Sequence, residues 1–513
     1  MALLDATEGE LLTGDSGSAG ARIPRQPVEA ASKQYDLVIV GGGIYGVALA
    51  FEAARRDYRP LLLERDDFGS GTSWSSLRII HGGLRYLQTL DLSRFRESVA
   101  ERRWFLRCFP DLVRPLPCLM PLYGYGLKRP SFFRTALACN DLLSLDRNWD
   151  LETRARLARG EVLSRGETLR LFPQARRHGL LGGALWWDAV MLSSERVLME
   201  LLGWACSCGA TALNYVEVER ILIEHGRITG VEARDRAADR VHRYAAGRVV
   251  NVTGPRARAF AQRIDPAAPA LFWPTLAFNL LIDRAPPAEV AIAVQPHREG
   301  QIYFVLPWKG RTLAGTFHAG LPHAALEPTV GADQVAQFVG DLNAAIPGLD
   351  LAPEQVLHVY AGLLPGRHVG SAELAKRAVI HDHGSHGGPR GFYSISGVKF
   401  TTARRVAEDT LRAIFGRQLR PASSAPARPP PLLDFAGQTL LSAGTPCGSE
   451  SSERDALARR IIREEAVVRS EDLLLRRLDS AEALADRARA SEAFREVLGS
   501  ALPEAGSPPP VSH

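Results

Sequence analysis

Lysine is nearly missing from this chain. Five of its 62 basic residues are lysines (Lys33, Lys128, Lys309, Lys376 and Lys399), and the rest are arginines. That bias makes each lysine worth locating. Long apolar runs are missing too: no uncharged apolar stretch reaches about 18 residues, so no membrane-spanning helix is expected. Residues 1–34 lack the basic and apolar regions of a signal peptide; they are polar and rich in Gly, Ser and Ala, and read as a disordered lead-in. The six cysteines (Cys108, Cys118, Cys139, Cys206, Cys208, Cys447) form no CxxC pair and no zinc spacing. They read as reduced packing residues of a cytoplasmic protein. A net charge of +5 over 513 residues gives no case for nucleic acid.

What is present is the composition of a soluble globular chain, 46% hydrophobic and 23% charged, long enough for about two to four structural units. Its most informative stretch begins at Tyr35. The apolar run Asp36-Leu-Val-Ile-Val40 turns through Gly41-Gly-Gly43-Ile-Tyr-Gly46 into a helical stretch. A second apolar run, Leu61-Leu-Leu63, then ends in Glu64. Strand, Gly-rich turn, helix, strand and terminal acid are the parts of a dinucleotide-binding βαβ unit. Gly41 serves the tight turn, Gly43 the approach of backbone to pyrophosphate, and Gly46 the close packing of helix on strand. The helix N-terminus offers free N–H groups to phosphate, and Glu64 can take ribose hydroxyls.

After Glu64 comes a loop of small hydroxyl residues, including Thr72, Ser73 and Ser76, suited to wrapping a cofactor. It leads into Ile79-Ile-His81-Gly-Gly-Leu-Arg85-Tyr86-Leu. That stretch closely resembles the FAD-dependent glycerol-3-phosphate dehydrogenases, members of the larger flavoprotein group that includes D-amino-acid oxidase. The resemblance continues in order through Asn251-Val-Thr253-Gly254-Pro255, Phe304-Val-Leu-Pro-Trp308 and Ser396-Gly397-Val-Lys399-Phe-Thr401-Thr402. It covers about residues 35–416.

The resemblance implies an α/β fold: a Rossmann-like FAD domain interleaved with an antiparallel-sheet substrate domain, followed by a short C-terminal helical appendage. The FAD segments are about 35–90, 176–270 and 376–418, and the substrate segments about 91–175 and 271–375. The Pro-rich stretch within 419–450 reads as a stiff linker. Residues 451–500 read as helical, with starts at Ser452, Ser470 and Ser480, and 501–513 as a tail. Most arginines of 91–175 should form a solvated face, with a basic membrane-facing surface as the alternative. Trp186 to Cys208 reads as a helical run, and His225-Gly226 as a hairpin turn. A last helix should begin near Lys399 and aim its N-terminus at the flavin.

No second nucleotide fingerprint exists, since Tyr123-Gly-Tyr-Gly126 and the loop at 384–391 lack strand–turn–helix context. A flavin reduced directly by its substrate fits better than a pyridine-nucleotide reductase. The resemblance implies FAD held by Gly41, Gly43, Gly46, Glu64, Thr72, Ser73, Ser76, Thr253, Gly254, Gly397 and Thr401. It implies catalytic roles for His81, Arg85, Tyr86 and Lys399, with Arg85 and Lys399 the cations suited to an anionic group. The substrate would be a small molecule, glycerol 3-phosphate or a related polyol derivative, giving hydride to flavin N5. The electron acceptor (quinone, O₂ or another) stays open, as does peripheral contact with the inner face of a membrane.

The base is one of His81, His318 and His381. Departures from the family pattern gather at the substrate: Leu364 for an arginine, Phe278 for a histidine, Phe317-His318 in a Thr-Asp segment, and Ser193 for an aspartate. Arg367 is a candidate to replace the lost charge. His381-Asp-His383 and His386 lie in a Gly-rich loop without metal-ligand spacing, so no metal is expected. An amine or amino-acid oxidase is the alternative activity, and a flavin-binding partner without catalysis the alternative class.

Overall fold

The structure, a computed structural model, describes residues 22–124, 129–296, 301–321, 325–423, 428–429, 431 and 449–478. Strand β1 (Leu37–Val40), helix α1 (Ile44–Ala54) and strand β2 (Pro60–Leu63) form the expected βαβ unit. Both strands are wholly buried, as a parallel sheet covered on two faces requires. The chain then leaves through β3 (Ile79–Ile80), helix α2 (Leu92–Cys108), β4 (Val113–Leu122) and β5 (Gly182–Met191). It returns by helix α3 (Ser194–Ser207) to β6 (Thr211–Leu213), next to β2. The meander β7 (Val216–Glu224), β8 (Arg227–Asp235) and β9 (Arg240–Ala246) turns at His225-Gly226 and leads into β10 (Val249–Asn251).

A second excursion supplies β11 (Pro274–Ile282), β12 (Ala291–Val294), β13 (Tyr303–Trp308), β14 (Arg311–Gly320), helix α4 (Ala332–Ala345) and β15 (Val356–Pro365). The chain closes the first sheet with β16 (Val379–Asp382) and β17 (Phe392–Ser396), followed by helix α5 (Ala403–Phe415). The first sheet has the order β16-β17-β10-β1-β2-β6, parallel except for β16. The second sheet runs β15-β11-β14-β13-β12-β4-β5-β3, and its one parallel pair is β12 with β4. One face of it packs on α4 through Phe278, Phe317 and Phe338; the other faces the cavity described below.

Several expectations are corrected. Trp186 to Met191 is strand, because β5 is needed between β4 and β3; the helix starts only at Ser194, capped by the Ser193 side chain. That strand belongs to the second sheet, although its residues fall in the 176–270 segment assigned to FAD. Residues 22–34 of the lead-in are structured: the Arg22 guanidinium pairs with buried Glu200, and Ile23 is buried in the core beside α1, while residues 1–21 lie outside the described residues. The solvated-arginine reading also has exceptions in Arg102 and Arg147, which are buried. Among the described cysteines all five are free, and Cys139 is exposed rather than packed. Cys447, most of the Pro-rich stretch, Ser480 and the tail lie outside the described residues.

The C-terminal segment is held by buried charge. Helix α6 (Ser449–Glu464) and the turn Asp472–Arg477 bring Arg476 and Arg477 onto Asp67 at 2.5 and 2.6 Å. Glu465 meets Arg196, which also binds Glu200 at 2.7 Å. A buried ion left alone costs several kcal/mol (about 3–5 when one partner is removed), so these groups hold each other in register. Asp67 sits three residues beyond Glu64, so the tail braces the hydroxyl-rich loop from behind.

Candidate active site

A cavity of about 1000 Å³ runs from the Gly-rich turn to the inner face of the second sheet. At one end it is built almost wholly from backbone. Gly41 has φ +116°, and a Cβ there would stand 2.6 Å from the Val252 carbonyl oxygen. A Cβ on Gly46 would lie 1.9 Å from the Gly41 carbonyl oxygen, so α1 packs on the turn only as glycine. Gly43 caps α1 and faces Ser73, whose hydroxyl accepts the Ile44 N–H at 3.0 Å. Glu64 accepts the N–H groups of Gly42 (2.6 Å) and Asp66 (2.9 Å). Burial raises its carboxyl to about 7, with those bonds opposing. Thr72 donates to the Leu363 carbonyl at 3.1 Å, tying the loop to β15, and the Ser76 hydroxyl accepts the Arg78 N–H at 3.3 Å. Thr253 donates to Asn251 Oδ1 at 2.8 Å, and Gly254 follows with φ +58°. Except for Gly46, which packs behind the turn, all these expected cofactor residues line the cavity, together with Gly397 and Thr401.

Those features fit FAD. A glycine cradle with no room for side chains, an open helix N-terminus and a carboxylate beyond β2 match a dinucleotide, and the cavity has room to continue past it.

The other end gathers His81, Tyr86 and Lys399. His81 points into the cavity beside Phe304, and its Nδ1 lies 3.1 Å from Asp188 Oδ2. Asp188 comes from β5 and is buried; its other oxygen accepts the Gly82 N–H at 2.6 Å and Arg102 Nη1 at 3.0 Å. Burial pushes this carboxyl up, but His81, Arg102 and Gly82 together hold it down at about 2. An ionised carboxylate on Nδ1–H fixes the tautomer and leaves Nε2 as proton acceptor. Lys399 extends over the Tyr86 ring, with Nζ 4.4 Å from its centre. Burial, and then the charge of Arg85, lowers the Lys399 ammonium to about 8. Arg85 itself is exposed and outside the cavity wall, so it acts on the site by its charge.

His318 also lines the cavity, hydrogen-bonded to Gln301 at 3.0 Å. Burial and Arg85 lower it to about 4, so it is a neutral polar group here. His381 lies outside the cavity, on β16, which removes it as a base.

Strand alternation revises the altered pocket. Phe278 and Phe317 point to the α4 side and are buried in the core. The cavity-facing residues of β11 are Ala277 and Asn279. Asn279 donates to the Ser75 carbonyl (2.8 Å) and accepts from Thr316 (2.8 Å). Leu364 does line the cavity, but Arg367 is exposed and pairs with Glu373 at 3.0 Å, so it supplies no replacement charge. Ser193 is spent capping α3. The helix after Lys399 starts at Ala403, following a tight turn at Phe400–Thr402 that carries Thr401.

Three site residues escape the sequence reading. Asn279 was signalled by a single amide in an apolar strand. Tyr45, inside the fingerprint, holds the Lys399 backbone through its hydroxyl. Asp188 carries no local signal, because only the β3–β5 pairing brings it to His81.

Comparison with known proteins bears on the family and the fold. Residues 36–408 match the family model described as FAD dependent oxidoreductase. A glycerol-3-phosphate dehydrogenase of Synechocystis sp. is 30% identical over 420 residues, covering 79% of this chain and 74% of that protein. An alpha-glycerophosphate oxidase of Streptococcus pyogenes is 31% identical over 341 residues; the match spans 65% of this chain but 54% of that protein. Among solved structures, the glycerol-3-phosphate dehydrogenase of Bacillus halodurans, complexed with FAD, superposes with a TM-score of 0.68 at 22% identity, covering 92% of this chain and 90% of that one.

Proposed function

The chain belongs to the FAD dependent oxidoreductase family, and on that premise we propose that it oxidises the secondary alcohol of glycerol 3-phosphate or a related polyol derivative. The observation that carries this is the meeting of the His81–Asp188 pair and Lys399 in the cavity that the Gly41–Glu64 unit opens. FAD, when bound, supplies the hydride acceptor. His81 Nε2 takes the hydroxyl proton, and Asp188 holds the imidazole in place and stabilises its protonated form. Lys399, with Arg85 adding charge from outside the wall, attracts an anionic substituent. Asn279 and Thr316 present polar atoms to the remaining oxygens.

Anaerobic mixing of the holoenzyme with glycerol 3-phosphate tests the narrow form. Bleaching of the flavin is expected; a spectrum that stays oxidised overturns it. Readmitting O₂ or a quinone analogue then separates the acceptors, since relatives carry both dehydrogenase and oxidase names. We also place the protein in the cytoplasm with peripheral membrane contact. Leu142, Leu145 and Trp149 are exposed near Arg96 and Arg103 of α2, which bond to Leu143 and Asp146, and this supports the membrane contact. Failure to sediment with anionic vesicles would remove the membrane contact.

A further inference from the structure

Outside the cavity, at the far edge of the first sheet, three ligand-type side chains converge. Asp265 follows the helix Ala257–Ile264, while His381 and His383 come from β16 and the residue after it. One nitrogen of each histidine and one carboxylate oxygen of Asp265 all lie within 4.8 Å of one another. Spacing along the sequence could not show this, because the third member is more than a hundred residues away. His383 lies one residue past the strand end, in helical backbone, and its ring still meets that of His381. Their rings are 4.6 Å apart, and His386 stands 4.5 Å from His381 on the other flank.

His381 is 9% exposed, and its Nε2 is buried without a hydrogen-bond partner among the described residues. A buried polar atom left unmatched is costly, so an unpaired imidazole nitrogen beside a carboxylate and a second imidazole calls for a partner.

We propose that Asp265, His381 and His383 form a binding site for a divalent transition-metal ion of the zinc type, with His386 or water completing the set. Two imidazoles and one carboxylate are the donors such ions take at about 2.0–2.2 Å. The supporting groups are also in place. Ser394 lies 2.9 Å from His383 Nε2 and accepts from Asn251 at 3.0 Å. With its second lone pair it can also accept Nε2–H, which would free Nδ1, now 2.7 Å from Asp265, for the ion. The ion would pin the 384–391 loop to the end of the preceding helix, away from the flavin cavity.

The test is equilibrium dialysis of tag-free holoenzyme against zinc, with metal analysis and thermal melting. The wild-type chain should retain one ion and melt higher with zinc than after chelation. His381→Ala, which deletes a side chain with an unpaired nitrogen, should weaken retention by at least about 100-fold while flavin content stays constant. His225→Ala, on an exposed turn, should change nothing. A wild-type chain that keeps no zinc overturns the site, and so does a His381→Ala chain that keeps it undiminished.

Discussion

The hydroxyl of Tyr45 accepts the backbone N–H of Lys399 at 2.9 Å and donates to the carbonyl of the same residue at 2.8 Å. Burial pushes that phenol up to about 12, so it remains a donor throughout the working range of pH. A residue inside the phosphate-binding turn thereby positions the cation at the opposite end of the cavity. Gly397 belongs to the same arrangement, since a Cβ there would lie 2.1 Å from the Tyr45 ring.

Tyr45→Phe removes both bonds and leaves two backbone groups unmatched, at a cost of about 1–3 kcal/mol. The expected result is a lower melting temperature and a raised KM for an anionic substrate, with flavin content retained. An unchanged KM would show that Lys399 does not depend on this clasp.

The ammonium of Lys399 is lowered to about 8, so its charge is present below that pH and lost above it. For an anionic substrate kcat/KM should therefore fall on the alkaline side of about pH 8, approaching tenfold per unit. Lys399→Met should be slow throughout and lack this limb. If the limb survives in that variant, another group produces it.

Gly46→Ala tests the cofactor end. Its Cβ would meet the Gly41 carbonyl oxygen at 1.9 Å, a backbone atom that cannot rotate aside. The variant should purify without the yellow flavin, and added FAD should not restore it. Normal flavin content would mean that the turn relaxes more freely than its packing indicates.

The sequence made the cofactor end readable because a βαβ unit is local: the glycines, the acid and the hydroxyl loop lie within a few dozen consecutive residues. Lys399 stood out by rarity and by its Gly397–Thr402 surroundings. The substrate end was less legible because it is assembled across strands. Phe278 was assigned to the pocket and belongs to the core, a one-residue error that turns a strand residue to the opposite face. Asp188 was invisible because its role depends on β5 pairing with β3, which no nearby motif announces.

That pairing makes a sharp prediction. Asp188→Asn keeps the shape beside His81 but withdraws the charge that fixes its tautomer. kcat should fall by about 10²–10⁴-fold, the range of a lost acid–base catalyst, with KM changed little. Arg102 also loses its carboxylate partner, so flavin content and melting must be checked alongside. A kcat within threefold or so of the parent, roughly 0.7 kcal/mol, would remove His81 as the base.

Leu364 is the position at which the pocket's preference can be tested. It lies on β15 opposite Thr275, two residues from Gly362, which faces Ala277 and thus the row that holds His318. Arg367 is paired outside and His318 is neutral, while Lys399 and Arg85 supply positive charge and Arg256, also on the cavity wall, is paired with Glu327. Leu364→Arg adds a planar cation to the cavity wall, where a two-point bond to phosphate contributes about 1.5–3 kcal/mol. KM for glycerol 3-phosphate should drop by about 10–100-fold, at 1.4 kcal/mol per factor of ten, while an unphosphorylated polyol gains nothing. Equal effects on both would mean that Leu364 sets pocket volume rather than charge, and that the natural substrate is chosen by shape.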